Sequence, residues 1–255
     1  MPLSQAATNT AIAPNLSGGI TGAFTVDAPG LVGDGVTNNN TALQAAFTAA
    51  ASGGYLHIPC GTYLITAKMT VTVASGKRVT VEGAGQGCAT IAVSGAVGGL
   101  QLTLADETAA VDLRKFQITT DQPGTQFAIT VNKTTANTLN AYAAPNAIVD
   151  VSCHGSDYPN ALNPTKYWSQ CLQLQNTNNI KVDNLSVIGG GCVSAACNGN
   201  GVTFNGNASL HSYAVVLNIT HSNFGLCNIG FVYGDWVQGS RSAAAPTSPA
   251  ARTAF

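Results

Sequence analysis

From Tyr55 onward, apolar and polar positions alternate in short runs separated by Gly, Asn or Asp. The runs are Tyr55–Ile58, Thr62–Ile65, Met69–Val73, Arg78–Val81, Thr90–Val93, Leu100–Leu104 and Val111–Ile118. They continue as Phe127–Val131, Ala147–Val151, Leu172–Leu174, Ile180–Val187, Val202–Phe204, Val215–Phe224 and Phe231–Tyr233. Many short strands with turn residues between them predict a sandwich, a barrel or a solenoid. One earlier stretch has the other period. Leu43, Ala46, Phe47 and Ala50 recur at helical spacing, Asn38 to Asn40 offer N-caps, and Ser52-Gly53-Gly54 stops the run. It is the one helix the sequence predicts.

Internal similarity separates the β architectures. The template apolar-x-apolar-x-x-apolar-x-apolar fits Val111, Leu113, Phe116, Ile118 and again Ile180, Val182, Leu185, Val187. Leu217, Ile219, Ser222, Phe224 nearly fits it. A second series starts at Leu172, Val202 and Phe231, at steps of about 30 residues, the range in which a fixed period marks a stacked repeat. A sandwich would not predict the repeated template. The expected fold is an all-β parallel β-helix with one short N-terminal capping helix.

Composition sharpens this expectation. The chain has 255 residues and only 21 charges, 10 Lys plus Arg and 11 Asp plus Glu. An ordinary domain has about three times that charged fraction. Coils stacked about 4.8 Å apart place like side chains above one another, so columns of one charge would repel. Ten scattered cations build no stripe for phosphates, which argues against nucleic acid. No run of about 18 apolar residues occurs, which argues against a membrane span. The start, residues 1–19, lacks the basic and apolar segments of a signal peptide. Seven Cys leave at least one thiol unpaired within the chain. Cys192 and Cys197 could close a small loop, and most of the rest are expected as small buried hydrophobes.

The stretch Asp27-Ala28-Pro29-Gly30-Leu31-Val32-Gly33-Asp34-Gly35-Val36-Thr37-Asn38-Asn39-Asn40-Thr41 resembles the opening of the pectate-lyase-like superfamily. There a G-D-G-x-T-D-D-T segment precedes a short helix. Gly53-Gly54-Tyr55-Leu56-His57-Ile58-Pro59-Cys60-Gly61-Thr62-Tyr63 resembles the family's G-G-x-x-x-x-P-x-G-x-Y segment. Val79-Thr80-Val81-Glu82-Gly83-Ala84-Gly85 resembles its next strand and turn. The resemblance implies a right-handed parallel β-helix that binds or degrades polysaccharide, as polygalacturonases, pectate lyases and phage tail-spike depolymerases do. Departures are Asn38, Asn39 and Asn40 where the family often has Asp, and the missing polygalacturonase signature, of which Cys153-His154-Gly155 is a partial echo. Polygalacturonase activity is therefore disfavoured.

Sugar hydrolysis commonly needs two carboxylates about 5–9.5 Å apart, which one or two coils of a solenoid supply. Asp150 and Asp183 follow Val in similar contexts and are candidates for one acidic face, although Arg114 and Thr220 match Asp183 in other repeats. Asp157 sits in the long insertion Gly155–Tyr167, between His154, a candidate general base or sugar contact, and Trp168, a candidate stacking platform. Gln173, Gln175 and Asn205 alternate with buried residues in an uncharged polar strip. Tyr233 and Trp236 flank Asp235 in what would suit the end of a sugar groove. The catalytic candidates are thus Asp150, Asp157, Asp183 and Asp235. No metal site is expected, and no cofactor unless a lyase uses Ca2+ held by oxygens.

The chain divides into a leader (1–23), a β-helix (24–239) lacking its C-terminal coils, and a Pro- and Ala-rich tail (240–255) expected to be disordered. The expected partner is a polysaccharide, with no nucleic acid and no membrane, and with a homotrimer if the tail-spike resemblance holds. The expected setting is extracellular or in a virion. A non-catalytic structural or adhesive β-helix is the alternative.

Overall fold

The computed structural model describes residues 25–26, 30–124, 126–136, 144–161, 163–193, 196–235, 237–238 and 241–242. The expected leader (1–23), Trp236 and most of the expected tail lie outside them, as do the side chains of Cys192 and Cys197.

The chain enters through β1 (Thr25–Val26), β2 (Asp34–Asn38) and α1 (Asn40–Ala50). A first coil follows, β3 (Tyr55–Ile58), β4 (Gly61–Ile65) and β5 (Met69–Val73), then a second, β6 (Arg78–Gly83), β7 (Ala89–Val93) and β8 (Leu100–Leu104). The third coil is β9 (Ala110–Thr120) and β10 (Phe127–Lys133); the fourth is β11 (Asn146–Gly155) and β12 (Gln170–Gln175). The fifth holds β13 (Asn178–Asp183), β14 (Ser186–Ile188), the antiparallel hairpin β15 (Gly190–Val193) and β16 (Ala196–Asn198), and β17 (Asn200–Asn205). The sixth is β18 (Ala214–Thr220), β19 (Asn223–Gly225) and β20 (Ile229–Tyr233), followed by β21 (Val237–Gln238) and β22 (Arg241–Ser242). Strand β22 pairs with β18, so pairing continues into the stretch expected as a tail.

Every coil pairs in parallel with the next, giving a β-solenoid of about six turns with three faces. Sheet 1 runs β1-β3-β6-β9-β11-β13-β18-β21. Sheet 2 is β2, β4, β7, the ends of β9 and β11, β14 and β19. Sheet 3 runs β5-β8-β10-β12-β17-β20. The repeated template is the turn from sheet 1 to sheet 2. Its two unconstrained positions fall at the bend, where Lys115, Asp150, Asn184 and His221 stack with φ between 49° and 56°. A single left-handed residue reverses the pleat, so apolar residues on both sides of it point inward.

Inward columns make the core. Leu56, Val81, Leu113, Ile148, Val182 and Ile219 stack from sheet 1, and Met69, Leu100, Ile129, Leu172, Val202 and Phe231 from sheet 3. A fourth copy of the template, Asn146, Ile148, Val151, Cys153, is hidden in the sequence by a buried amide and a cystine. Asn146 earns its inward place by accepting from the Val111 amide (2.9 Å) and donating to the Asn178 carbonyl (2.9 Å).

The helix buries Leu43, Ala46, Phe47 and Ala50 as its period predicts. Its start differs from expectation. Only Asn38 turns its side chain onto a helix-start amide, that of Asn40 (2.9 Å). Asn39 is buried and bonds Val32 and Thr37, and Asn40 holds the Thr66 and Ala67 amides, so both tie the helix to neighbouring loops. The cysteines also depart from expectation. Cys60–Cys88 staples the first two coils, and Cys153–Cys171 closes the neck of the 154–170 insertion; among the described side chains Cys227 is a buried free thiol, its pKa pushed up to about 12 by burial.

Candidate functional site

Charges and amides are sorted onto different faces. Sheet 1 carries the outward columns Tyr55–Thr80–Asp112–Ala147–Lys181–Asn218 and His57–Glu82–Arg114–Val149–Asp183–Thr220. Their charges are consumed locally in the pairs Arg114–Asp112, Lys115–Glu82 and Lys181–Asp183. Asp183 and Asp150 do not share a column. Asp183 stands over Val149, while Asp150 occupies the bend one position on and accepts from Asn184 Nδ2 at 2.7 Å. Asp183 also accepts from Thr220 Oγ1 (2.8 Å) and contacts His221 Nδ1 (2.8 Å). Bonding to His221, Lys181 and Thr220 holds its carboxyl well below the usual range. It is a fixed anion and a poor proton donor.

Asp157 belongs to the insertion after β11. Its Oδ2 accepts from the Thr165 amide (2.6 Å), the Thr165 hydroxyl (3.1 Å) and the Lys166 amide (3.2 Å), closing the loop on itself. His154 points outward from sheet 2, with Nδ1 2.8 Å from the Gly155 carbonyl and Nε2 3.2 Å from Gln117. Burial pushes its pKa down, and both ring nitrogens face oxygens, the Gly155 carbonyl and Gln117 Oε1. Trp168 is 3% exposed and donates Nε1–H to the Ile118 carbonyl (3.2 Å), so its ring packs in the core and offers no face to a sugar. Asp235 is exposed in the turn after β20. Asp150 and Asp183 therefore lie on neighbouring coils at the sheet 1 bend, with Asp157 apart in the 156–166 loop and Asp235 in the last turn.

Sheet 3 is different. Its outward columns are Thr70–Gln101–Thr130–Gln173–Thr203–Val232 and Thr72–Thr103–Asn132–Gln175–Asn205. Neither contains a charge. The middle of this face is a groove of about 310 Å³ lined by Gln101, Thr130, Asn132, Gln173 and Gln175, with Lys68, Gly98, Gln126 and Phe127 along one side. Lys68 donates to Gln101 Oε1 at 2.6 Å, and Phe127 is 40% exposed. Gln173 and Gln175 are thus brought together as the strip predicts, and Asn205 continues the column beside them. Tyr233 follows Phe204 in an inward column and packs edge-on against Phe231. Lys68, Gln101, Gln126, Phe127, Thr130 and Asn132 escaped sequence reasoning, because the series starting at Leu172 does not show that β5, β8 and β10 precede it on the same face.

Amide and hydroxyl side chains offer paired donors and acceptors, and an exposed ring offers an apolar platform. That set suits a hydroxyl-rich chain laid along the solenoid. No carboxylate lines the groove. Among the described residues, no three His, Cys, Asp or Glu side chains gather to hold a metal ion. No described helix is long and apolar enough to cross a membrane.

Comparison with known proteins follows the fold. No curated protein matches the chain. Among solved structures, ORF18 of Geobacillus virus E2 is similar over 86% of this chain and 40% of its own, at 18% identity and a TM-score of 0.45. PfbA, a surface adhesin of Streptococcus pneumoniae, is similar over 87% of this chain and 62% of its own, at 14% identity and a TM-score of 0.34. The chain thus spans less than two thirds of either protein. The sequence profile described as rhamnogalacturonase A/epimerase, pectate lyase-like, matches residues 23–240, nearly the whole solenoid, and the chain belongs to that family.

Proposed function

We propose that the chain binds a polysaccharide in the sheet 3 groove, laid along the solenoid axis across successive coils. One observation carries this reading: the amide columns through Gln101, Gln173 and Gln175 stand beside an exposed Phe127 on a face without carboxylates. Side chains repeating about every 4.8 Å meet successive parts of an extended ligand. Holding, rather than cutting, fits the placement of the aspartates, since Asp150, Asp157 and Asp183 each accept hydrogen bonds that tie down the fold and none lines the groove. Cleavage is the second reading, favoured by the exposed Asp235 just beyond β20, where a carboxylate could reach a chain leaving the groove. The two disulfides suit an oxidising, extracellular or particle-surface setting.

The test is retention on a panel of immobilised neutral and acidic polysaccharides, with Gln173→Ala and Gln175→Ala beside the wild type. The expected result is binding that each substitution weakens about tenfold, the loss of one or two well-made hydrogen bonds. Binding that survives both substitutions would overturn the groove assignment. New reducing ends, or the ultraviolet absorbance of an unsaturated uronate, would establish cleavage, and Asp235→Asn should then abolish it.

A further inference from the structure

Gln126 and Phe127, which line one wall of the groove, follow the turn of the third coil, and that turn is backed by the turns of the fourth and fifth coils. Pro123 bridges Tyr167, Tyr167 N donates to Gln122 O (3.0 Å), and Gly124 N donates to Tyr167 O (2.7 Å). Next, Ser169 donates to Gln126 O through its amide (3.0 Å) and its hydroxyl (2.7 Å), and Asn200 N donates to Ser169 O (2.9 Å). The turn of the fourth coil is thus held between those of the third and fifth.

One side chain is seated where the three turns meet. A Cβ added to Gly124 would stand 2.1 Å from Tyr167 Cε2, one on Gly190 would stand 2.4 Å from Cδ1, and one on Gly199 would stand 3.3 Å from Cδ2. Three glycines from two different turns leave the room this ring fills. At Gly124 and Gly199, φ is also positive (53° and 79°), so those two positions suit glycine on backbone grounds as well. Backbone that close to a ring edge is a slot with no slack.

We propose that Tyr167 is a positioning residue of the groove: its ring, clasped by Gly124, Gly190 and Gly199, sets where Gln126 and Phe127 stand against a bound chain. The proposal rests on the groove being the binding site. It assigns the ring's body, because all three glycines approach ring carbons and the hydroxyl lies near Gly124 alone.

The experiment pairs amide hydrogen exchange with binding to the polysaccharide panel, for the wild type, Tyr167→Phe, Tyr167→Ala, Gly190→Ala and Gln173→Ala. Tyr167→Phe should match the wild type in both measurements. Tyr167→Ala and Gly190→Ala should speed exchange at the Gly124, Ser169 and Asn200 amides at least tenfold, leave β5 and β8 protected, and weaken binding at least tenfold. Gln173→Ala should weaken binding and leave exchange alone. Wall amides as protected in Tyr167→Ala as in the wild type would overturn the proposal. So would a loosened wall with unchanged affinity, or a Tyr167→Phe variant as impaired as the alanine. If Tyr167→Ala does not fold, Gly190→Ala carries the same comparison. A wild type that binds no polysaccharide sinks the groove reading itself, and the exchange data then decide whether Tyr167 holds the wall.

Discussion

Val216 shows how a single residue can oppose its surroundings. It is β-branched, 45% exposed and held at φ 59°, a region that costs an L-residue about 1–2 kcal/mol and costs glycine little. Val216→Gly should therefore raise stability by about 1 kcal/mol, measured by urea unfolding. Asp106 gives the pH counterpart. Hydrogen bonds from Ser75 and Thr108 lower its carboxyl to about 2. A depressed carboxyl contributes stability that is fully present above the ordinary value near 4 and lost as pH falls through about 2. Asp106→Asn should cost stability at pH 7 and little at pH 2, in parallel unfolding curves. Lys133 is the sharpest case. Its side chain is 1% exposed, and its Nζ meets Glu107 at 3.5 Å without a hydrogen bond among the described residues. Burial pushes its pKa down. Replacing both partners, Lys133→Met with Glu107→Gln, should be neutral or stabilising by about 1–4 kcal/mol, whereas Glu107→Gln alone should cost about 3–5 kcal/mol by stranding the ammonium. None of these features was legible in the sequence. Lys133 lies two residues past the apolar run Phe127–Val131, where a lysine reads as the residue that leaves the core.

At the scale of elements, the repeats read true wherever side chains followed the period, and failed where function or covalent chemistry intruded. The template around Leu113 and Phe116 gave the bend, because a left-handed residue between two inward pairs leaves a fixed spacing. It missed the copy at Asn146, since a buried amide with backbone partners looks polar in a sequence. Strand β2 has the residues of a glycine turn, because Asp34 bonds the Val36 and Thr37 amides as turn residues do. The length of the insertion Gly155–Tyr167 points to function. In the structure its Asp157, and Trp168 just after it, hold the loop in place, and Cys153–Cys171 ties the flanking strands. Closing a loop of this size is worth about 3 kcal/mol in chain entropy. The Cys153→Ala, Cys171→Ala double variant should lose about that much in denaturant unfolding, with Ser169 and Asn200 exchanging earlier than β5.

At the scale of the whole molecule, the low charge count acquired a geography. The sequence argued that stacked coils disfavour columns of one sign. Sheet 1 shows the other solution: Glu82, Arg114 and Asp183 alternate in sign along one column, and each is neutralised from beside it, by Lys115, Asp112 and Lys181. Sheet 3 is left without charge in its outward columns. Gln173, Gln175 and Asn205 were visible in the sequence as a strip, but which strands share that strip needed the coil register.

The separation of charge from the groove has a consequence for the medium in which the protein works. Coulombic binding fades as salt shortens the Debye length, to about 8 Å at 0.15 M and 3 Å at 1 M. A ligand gripped by amides and a phenyl ring, with Lys68 as the one cation among the described residues that line the groove, has little to lose. Affinity measured from 0.05 to 1 M sodium chloride should change less than about threefold, and Lys68→Gln should remove what dependence there is. A groove of this kind would hold its polysaccharide equally well in fresh water, in serum and in brine.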